Sequence, residues 1–366
     1  MNRLKLVFLL IIIVFSSQLS AQNLFSGFEH LFTPVRQYTV FRASSEIVID
    51  GDASESAWEK SVWTEDFQDI EGEKKPLPLH RTRVKMLWDE KNLYILAELE
   101  EPHVWGYFDE HDVIVFNEND FEVFIDPDGD SQNYFEIEIN ANNTVFDLFM
   151  PKPYRDGGIP LISWNAPGLK TAVSIDGTRN NPNDSDKKWT VEMAIPFSAL
   201  QLGTGNQKPA NEQVWRINFS RVQWQTEVID GIYKRKTDSA TGRILSEDNW
   251  VWSPQGVINM HYPERWGILR FSEKSANDEM AEFKIPEKEE LVQYLWLAYY
   301  KQKKFHAENK RYATSLSEIS IPETIITKNT GTIQLELTAT AHQFLIKLIT
   351  ENGKQMSITE NGILRK

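Results

Sequence analysis

The segment DFEVFIDPDGDSQNYFEIEIN, residues 120–140, decides the fold class of this 366-residue chain. Apolar and polar residues alternate within Asp120–Asp126 and again within Tyr134–Asn140, which is the period of a β-strand. An Asp-Pro-Asp-Gly-Asp turn separates the two runs, as expected in a hairpin. The segment therefore predicts two antiparallel strands joined by a polar loop.

The same short alternation extends on both sides of this hairpin, from Glu46 to about Phe271. Gly, Pro, Asn and Asp turns interrupt it at short intervals, and helical periodicity is scarce. This pattern predicts a mainly β chain in which residues 46–272 form an immunoglobulin-like or jelly-roll-type β-sandwich. The apolar neighbours of Trp58, Trp88 and Trp189 predict that these three side chains pack in its core.

The two ends of the chain differ from this β region. Residues 1–21 have a basic start, an apolar run and a Leu-Ser-Ala end, which is typical of a bacterial signal peptide. The apolar run is shorter than the roughly 20 residues that a bilayer span needs. There is no cysteine and hence no lipobox. We therefore expect a periplasmic, cell-surface or secreted protein with no membrane span in the mature chain.

Three further segments complete the predicted organisation. Residues 22–45 are an N-terminal lead-in, and the polar residues 273–286 form a linker. Residues 287–366 form a small α+β domain, because apolar positions from Glu287 to Asn309 recur at helical spacing and strand-like runs follow.

Composition narrows the classes of function. The chain has 53 acidic and 39 basic residues, a net charge of −14, which argues against a nucleic-acid partner. The lack of cysteine excludes disulfides, thiolate zinc sites, iron–sulfur clusters and cysteine nucleophiles. The sequence also has no H-E-x-x-H, G-x-S-x-G, P-loop or G-x-G-x-x-G motif, so no motif indicates an enzyme.

Six regions in a fixed order carry a resemblance to a known family. They are IDGDASESAW (49–58), LWDEKNLYILAELEEP (87–102), DFEVFID (120–126), YFEIEIN (134–140), WTVEMAIPF (189–197), and NWVWSPQ (249–255) with ERWG (264–267). Over residues 47–271 this set resembles the family 9 carbohydrate-binding modules. The resemblance implies a secreted β-sandwich that binds the end of a plant-type polysaccharide, without cleavage, in carbohydrate catabolism.

The resemblance also implies where the ligand binds. Members of the family clamp a terminal sugar between two aromatic side chains and bind its hydroxyl groups with nearby acids. Phe116 corresponds to one aromatic and Glu122 to an acid, whereas Met260 stands at the second aromatic position, a departure from the family's pattern. Trp105, Trp252 or Tyr262 would replace that aromatic if loops brought one of them near. For Phe116 the alternative is a core position, and for Glu122 a solvated strand face.

Two further sets of polar residues are predicted to have roles. Glu136 and Glu138 share a strand face and are expected to line a sugar groove, with a face turned to water as the alternative. Asp126, Asp128 and Asp130 offer oxygen ligands around a Gly, which suits Ca²⁺, and the family resemblance adds that members carry structural calcium. The alternative for this loop is a simple tight turn.

Other functions remain open at this level. Paired carboxylates would serve a glycoside hydrolase, although sequence does not give their separation. Relatives of the sandwich fold bind haem through Met or Lys, and Met260 or Met150 would be available here; a structural or adhesion protein is a further alternative. The C-terminal segment resembles type IV pilin-like proteins at Asn309, Tyr312, Ala313 and Leu316. It is otherwise interpreted as an appendage that docks on a partner protein.

Overall fold

A computed structural model describes residues 24–201, 208–276 and 285–365, so the predicted signal peptide, residues 1–21, lies outside the described residues. The chain divides into two compact units. The β unit spans Val35–Phe283, and the C-terminal unit combines the residues up to Pro34 with those from Lys284 onward.

The described residues of the β unit form fourteen strands and one short α-helix. The strands are β1 (Gln37–Arg42), β2 (Gln68–Asp69), β3 (Thr82–Trp88), β4 (Asn92–Glu100), β5 (Asp120–Asp126), β6 (Tyr134–Asn140), β7 (Val145–Met150), β8 (Lys170–Asp176), β9 (Lys188–Pro196), β10 (Val214–Gln223), β11 (Thr226–Ile229), β12 (Ile232–Arg235), β13 (Asp248–Val251) and β14 (Gly267–Ser275); α1 is Ser56–Lys60. The predicted linker therefore begins too early, because β14 runs on to Ser275.

Twelve of these strands form one sheet in the order β7-β6-β5-β10-β14-β1-β3-β4-β9-β8, with β13 between β10 and β2. β1 pairs in parallel with β14 on one side and with β3 on the other. The sheet curls on itself, so that side chains such as Val123 and Ile125 from β5 share one apolar core with Met86 and Met193 from β3 and β9. This confirms the predicted β-sandwich.

The strand alternation predicted for β5 and β6 is present. Phe121, Val123 and Ile125 enter the core, while the polar residues of β5 lie on the outer face, which is the face turned away from the core. The outer face is also buried, because a second apolar cluster that includes Phe124 and Trp266 covers part of it. The alternative of a solvated strand face is therefore wrong for both strands.

A buried carboxylate explains the IDG motif and Trp58. Glu192, on β9, is completely buried, and one of its oxygens accepts hydrogen bonds of 3.0 Å from the backbone N–H groups of Asp50 and Gly51. Its other oxygen accepts a bond of 2.9 Å from the Trp58 indole. Gly51 has φ +86°, and a Cβ there would lie 2.9 Å from the backbone of Val173. The motif holds a turn against the sheet, and Trp58 packs in the core as predicted.

The C-terminal unit contains a helix and an antiparallel sheet. The elements are α2 (Glu287–Asn309), β15 (Thr324–Ile326), β16 (Thr332–Ala339), β17 (Phe344–Thr350), β18 (Gln355–Thr359) and β19 (Leu364–Arg365), and the strands pair in chain order. Tyr294 of α2 meets the rings of Phe25 and Phe32 at centroid distances of 6.3 and 5.2 Å. The predicted lead-in, residues 22–45, is therefore split between the two units. Its described residues up to Pro34 pack in the C-terminal unit, whereas β1 belongs to the β unit. None of the helices in the described ranges combines the length and the apolar content of a membrane span.

Candidate functional site

A cleft of about 450 Å³ opens on the outer face of β5, β6 and β7. Its lining comes from these strands and from loops that are distant in sequence: Ile70, Ile114, Phe116, Glu122, Phe124, Glu136, Glu138, Phe146, Leu148, Tyr154, Pro160, Ile162, Val222, Glu247, Asn249, Ile258, Asn259, Met260 and His261. The strands supply a floor that is rich in carboxyl groups, and the loops supply mostly apolar walls.

Four buried acids, here called the floor carboxylates, lie together on the outer face: Asp120, Glu122, Glu136 and Glu138. Antiparallel pairing places Glu122 directly opposite Glu138 and Phe124 opposite Glu136. Within the described part of the chain, each of the four has one carboxylate oxygen without a hydrogen-bond partner. Buried polar atoms are normally satisfied, so this concentration of unsatisfied oxygens at a cleft makes it the candidate functional site.

Burial and mutual repulsion both act on the pKa values of the floor carboxylates. Burial raises the pKa of Glu122 to about 7. Burial, with the charge of Glu122 second, raises the pKa of Glu136 to about 8. The same two causes raise the pKa values of Asp120 and Glu138 well above the usual range of carboxyl groups. Around neutral pH the floor therefore holds both carboxyl and carboxylate groups, which can donate as well as accept hydrogen bonds.

His261 lies beside this floor without neutralising it. Its Nδ1 is 2.9 Å from the Tyr134 hydroxyl, and its Nε2 is 3.8 Å from Glu136 Oε2. Burial, followed by the charge of Arg155, lowers the pKa of His261 to about 4. Arg155 itself is paired with Glu264 at 2.8 Å. The imidazole is therefore neutral over the physiological pH range.

Exposed apolar side chains form the rim of the cleft. Phe116 is 41% exposed and Tyr154 is 49% exposed, so both rings present a face to solvent. Ile162 and Ile258 add exposed aliphatic surface, and Met260 lines the same cleft. Phe116, Glu122, Glu136 and Glu138, which the sequence analysis places in one site, thus converge here; the alternative of a core position for Phe116 is wrong.

None of the three proposed substitute aromatics, Trp105, Trp252 and Tyr262, lines the cleft. Trp252 is fully buried in the main core, where a Cβ on Gly267 would lie only 2.3 Å from its ring. Trp105 is 4% exposed and packs in a separate cluster with Trp224 and Tyr233. A ring without exposed surface cannot stack on a sugar, so the assignment of Trp105 and Trp252 to the site is corrected.

Tyr154 is one of the cleft residues that were not predicted from the sequence. It lies in the loop that follows β7, and its ring meets the edge of His261 at a centroid distance of 4.5 Å. The available signal was an aromatic residue among turn formers, in the segment KPYRDGG (152–158). Exposed aromatics in such loops are frequent in binding sites, because a rigid sheet can hold them toward a ligand.

The loop after β5 gathers a second group of acids. Asp126, Asp128 and Asp130 each offer one carboxylate oxygen, and these atoms lie within 4.8 Å of one another. Asp126 is completely buried, and its oxygens accept bonds of 2.9 and 2.8 Å from the backbone N–H groups of Gly129 and Ser131. Burial, then the charges of Asp128 and Asp130, raises the pKa of Asp126 well above its usual range. A hard cation fits this all-oxygen set and would relieve the repulsion.

Curated relatives match part of this chain. A 121-residue stretch is 27% identical to the exoglucanase XynX of Acetivibrio thermocellus and 26% identical to the endo-1,4-beta-xylanase A of Thermoanaerobacterium saccharolyticum. In both cases the stretch is 33% of this chain and spans only 9% of the length of the relative.

Three solved structures of carbohydrate-binding proteins are similar to this chain at low sequence identity. A putative carbohydrate-binding protein from Bacteroides uniformis has a TM-score of 0.49 at 16% identity, covering 65% of this chain and 100% of its own. A family 9 carbohydrate-binding module from Caldicellulosiruptor kristjanssonii has TM-scores of 0.38 with glucose and 0.37 with cellotriose, at 16% and 15% identity. These cover 66% and 68% of this chain and 100% of the module.

The family comparison covers most strands of the sandwich and most of the residues that line the cleft, but β1, β13 and β14 lie outside it. The model of the family "Carbohydrate family 9 binding domain-like" matches residues 49–230. The match begins at the IDG motif and includes Phe116, Tyr154 and the floor carboxylates. Residues 49–230, within the β unit, are therefore similar to the carbohydrate family 9 binding domain-like family.

Proposed function

We propose that the β unit binds a polysaccharide or oligosaccharide in the cleft without cleaving it. The observation that carries the proposal is the pairing of an exposed aromatic rim with a carboxyl-rich floor inside a region similar to the carbohydrate family 9 binding domain-like family. A sugar has apolar C–H faces and many hydroxyl groups, so it requires an aromatic platform beside groups that donate and accept hydrogen bonds.

Each part of the cleft has a distinct role in this proposal. Phe116 and Tyr154 offer their rings to the sugar faces, and Met260 supplies apolar contact where a second aromatic would stand in the family's pattern. Glu122, Glu136 and Glu138 offer the floor oxygens that lack partners. A typical hydrogen bond contributes about 0.5–1.5 kcal/mol after exchange with water, so we expect dissociation constants in the micromolar to millimolar range.

A glycan array followed by retention on insoluble polysaccharide tests this proposal. Phe116→Ala should weaken retention several-fold with an unchanged far-UV circular dichroism spectrum, because the ring is exposed and leaves no cavity in the core. Phe116→Trp is the matched control, since it keeps an aromatic platform and should keep retention. Unaltered retention in both Phe116→Ala and Glu122→Ala would contradict the proposed site.

The hydrolase alternative is tested with the same glycans. Glycoside hydrolysis needs one carboxyl group to donate a proton and a second to act as base or nucleophile. We expect no release of reducing ends by the wild-type protein. Release that disappears in Glu136→Gln or Glu138→Gln would replace the binding function with a catalytic one.

We also propose a structural calcium ion at Asp126, Asp128 and Asp130. The support is the convergence of three carboxylates in a loop with all-oxygen donors. An ion that binds only the folded state raises stability by RT ln(1 + [L]/Kd), so millimolar CaCl₂ should raise the melting temperature of EDTA-treated protein. In Asp128→Asn the rise in melting temperature should be smaller, because this variant lacks one ligand of the loop site. A wild-type melting temperature that does not respond to CaCl₂ would reject the ion.

Location and the role of the C-terminal unit are further proposals. The predicted signal peptide supports export to the periplasm, the cell surface or the medium, with a mature chain beginning at Gln22. N-terminal sequencing of protein from the cell envelope tests this, and an intact Met1 would contradict it. The pilin-like resemblance and the docking of a partner protein on residues 287–366 stay predictions. If deletion of α2 and its sheet abolished the binding of a partner protein, the docking prediction would be supported.

A further inference from the structure

Three of the floor carboxylates converge on one point. One ligand oxygen from each of Asp120, Glu122 and Glu138 lies within 4.8 Å of the other two. The strand geometry produces this convergence, because Asp120 and Glu122 alternate onto the same face of β5 and Glu138 stands directly opposite Glu122 on β6. Oxygens bound to one ion at 2.3–2.6 Å have similar separations.

A second observation points to a ligand at this point. Asp120, Glu122 and Glu138 are 0%, 5% and 3% exposed, and Oδ2, Oε2 and Oε2 of these residues have no hydrogen-bond partner within the described ranges. No Lys or Arg of the described residues forms an ion pair with them. Like charges brought together in a buried place repel each other strongly, so such a cluster is stable only when protons or a cation neutralise it.

We propose that Asp120, Glu122 and Glu138 bind one divalent cation of the hard, oxygen-preferring class at the floor of the cleft. The donor set is three carboxylates without nitrogen or sulfur, which suits Ca²⁺, Mg²⁺ or Mn²⁺. The site is separate from the proposed loop site at Asp126. Asp120 and Asp126 are the two ends of a seven-residue strand, roughly 20 Å apart at about 3.3 Å per residue.

The position of the ion also gives it a role in ligand binding, a step that rests on the proposed function. Glu122 and Glu138 line the cleft, whereas Asp120, two residues from Glu122 on β5, is not among the lining residues. The open side of the ion therefore faces the cleft, where two neighbouring hydroxyl groups of a sugar would complete its coordination.

Metal titration tests the site. The protein is the full chain without its predicted signal peptide, and no glycan is present. After EDTA treatment and dialysis, CaCl₂, MgCl₂ and MnCl₂ are titrated by calorimetry. Asp128→Asn serves as the background because it removes the loop site. On this background we expect one ion per chain for at least one of the three metals. Adding Glu138→Gln should lower the affinity at least about tenfold, since even the loss of an outer-shell partner costs 10–100-fold.

Glu192→Gln is the control on the same background. Glu192 has the same residue type as Glu138 and is also buried, but it lies on β9, does not line the cleft, and accepts hydrogen bonds from three N–H groups of the fold. We expect its metal affinity to stay within a few-fold of the background. Glutamine has nearly the shape of glutamate, so both variants should fold, which melting curves in EDTA will check.

The outcomes that would overturn the proposal are distinct from those that bear on glycan binding. No metal binding by Asp128→Asn, or equal affinities with and without Glu138→Gln, would overturn the cation site whatever the glycan result. Retention on glycan that is unchanged by EDTA in Asp128→Asn would overturn the contact between ion and sugar. The Phe116→Ala retention assay decides the binding function independently of the metal.

Discussion

Buried carboxylates occur in two different settings within the β unit. Glu192 is fully buried, and three N–H groups donate to its two oxygens. The floor carboxylates are equally buried, but each keeps one oxygen without a partner in the described structure. The comparison teaches that burial alone does not distinguish a structural acid from a candidate binding acid, and that the hydrogen bonds made by each carboxylate oxygen must be considered as well.

Glu101 is a second buried acid that, like Glu192, has a structural role. Glu101 is 4% exposed and pairs at 2.9 Å with Arg221, which is 1% exposed. Asn119 and Gln223 also donate to the same oxygen of Glu101, at 3.2 and 3.0 Å. This carboxylate, like Glu192, is surrounded by donors that the fold itself supplies.

The largest expected effect on stability comes from breaking this satisfied ion pair. Arg221→Ala leaves Glu101 buried without its cation and should lower the free energy of unfolding by about 3–5 kcal/mol, measured by urea denaturation. Lys187→Ala is the control, because Lys187 and Asp176 form a pair with 77% and 50% exposed side chains. Its removal should change little. Similar stabilities for the two variants would contradict the structural role of the buried pair.

The next effect tests Glu192. Glu192→Gln keeps the shape of the side chain but turns an NH₂ group toward donors from Trp58 or from Asp50 and Gly51. At least one buried N–H loses its acceptor, so the free energy of unfolding should fall by about 1–3 kcal/mol. Thermal and urea denaturation measure the change. A variant as stable as wild type would show that these hydrogen bonds do not hold the IDG turn.

The smallest effect should have the opposite sign. The same substitution at Glu136 removes a charge that is buried beside Glu122 and is not paired with any Lys or Arg among the described residues. In EDTA at pH 8, Glu136→Gln should raise the free energy of unfolding by roughly 1–2 kcal/mol. If Glu136→Gln and Glu192→Gln change stability in the same direction, the distinction between the two kinds of buried acid is wrong.

Much of the fold could be predicted from local sequence periodicity. The alternation in β5 and β6 identified both their core residues and the row that contains Glu136 and Glu138. It did not show that the outer face is covered, because Tyr154 and Met260, which lie over this face, come from distant loops. Periodicity carries information about a strand and not about the loops that later pack on it.

The candidate site could be predicted only in part for a similar reason. Phe116 and Glu122 were placed through the resemblance, and the structure brings them to one cleft; their contact with a ligand stays a prediction. Trp252 was misassigned because the direction of an indole at a strand end depends on what it packs against, here the bare backbone of Gly267. Tyr154 was missed because no periodic pattern marks a single loop aromatic.

The pairing of β1 with β14 determines when the sheet of the β unit can be completed during synthesis. Gln37 pairs with Ile268, a partner 231 residues later in the chain. At about 5–20 residues per second, synthesis of the intervening chain takes on the order of 10 to 50 s. During that interval β1 has no strand on that side, and topologies dominated by such distant pairs fold slowly. A nascent chain that ends at residue 230 still lacks β14. Its unpaired strand edges must therefore be kept from aggregating until β14 has been synthesised.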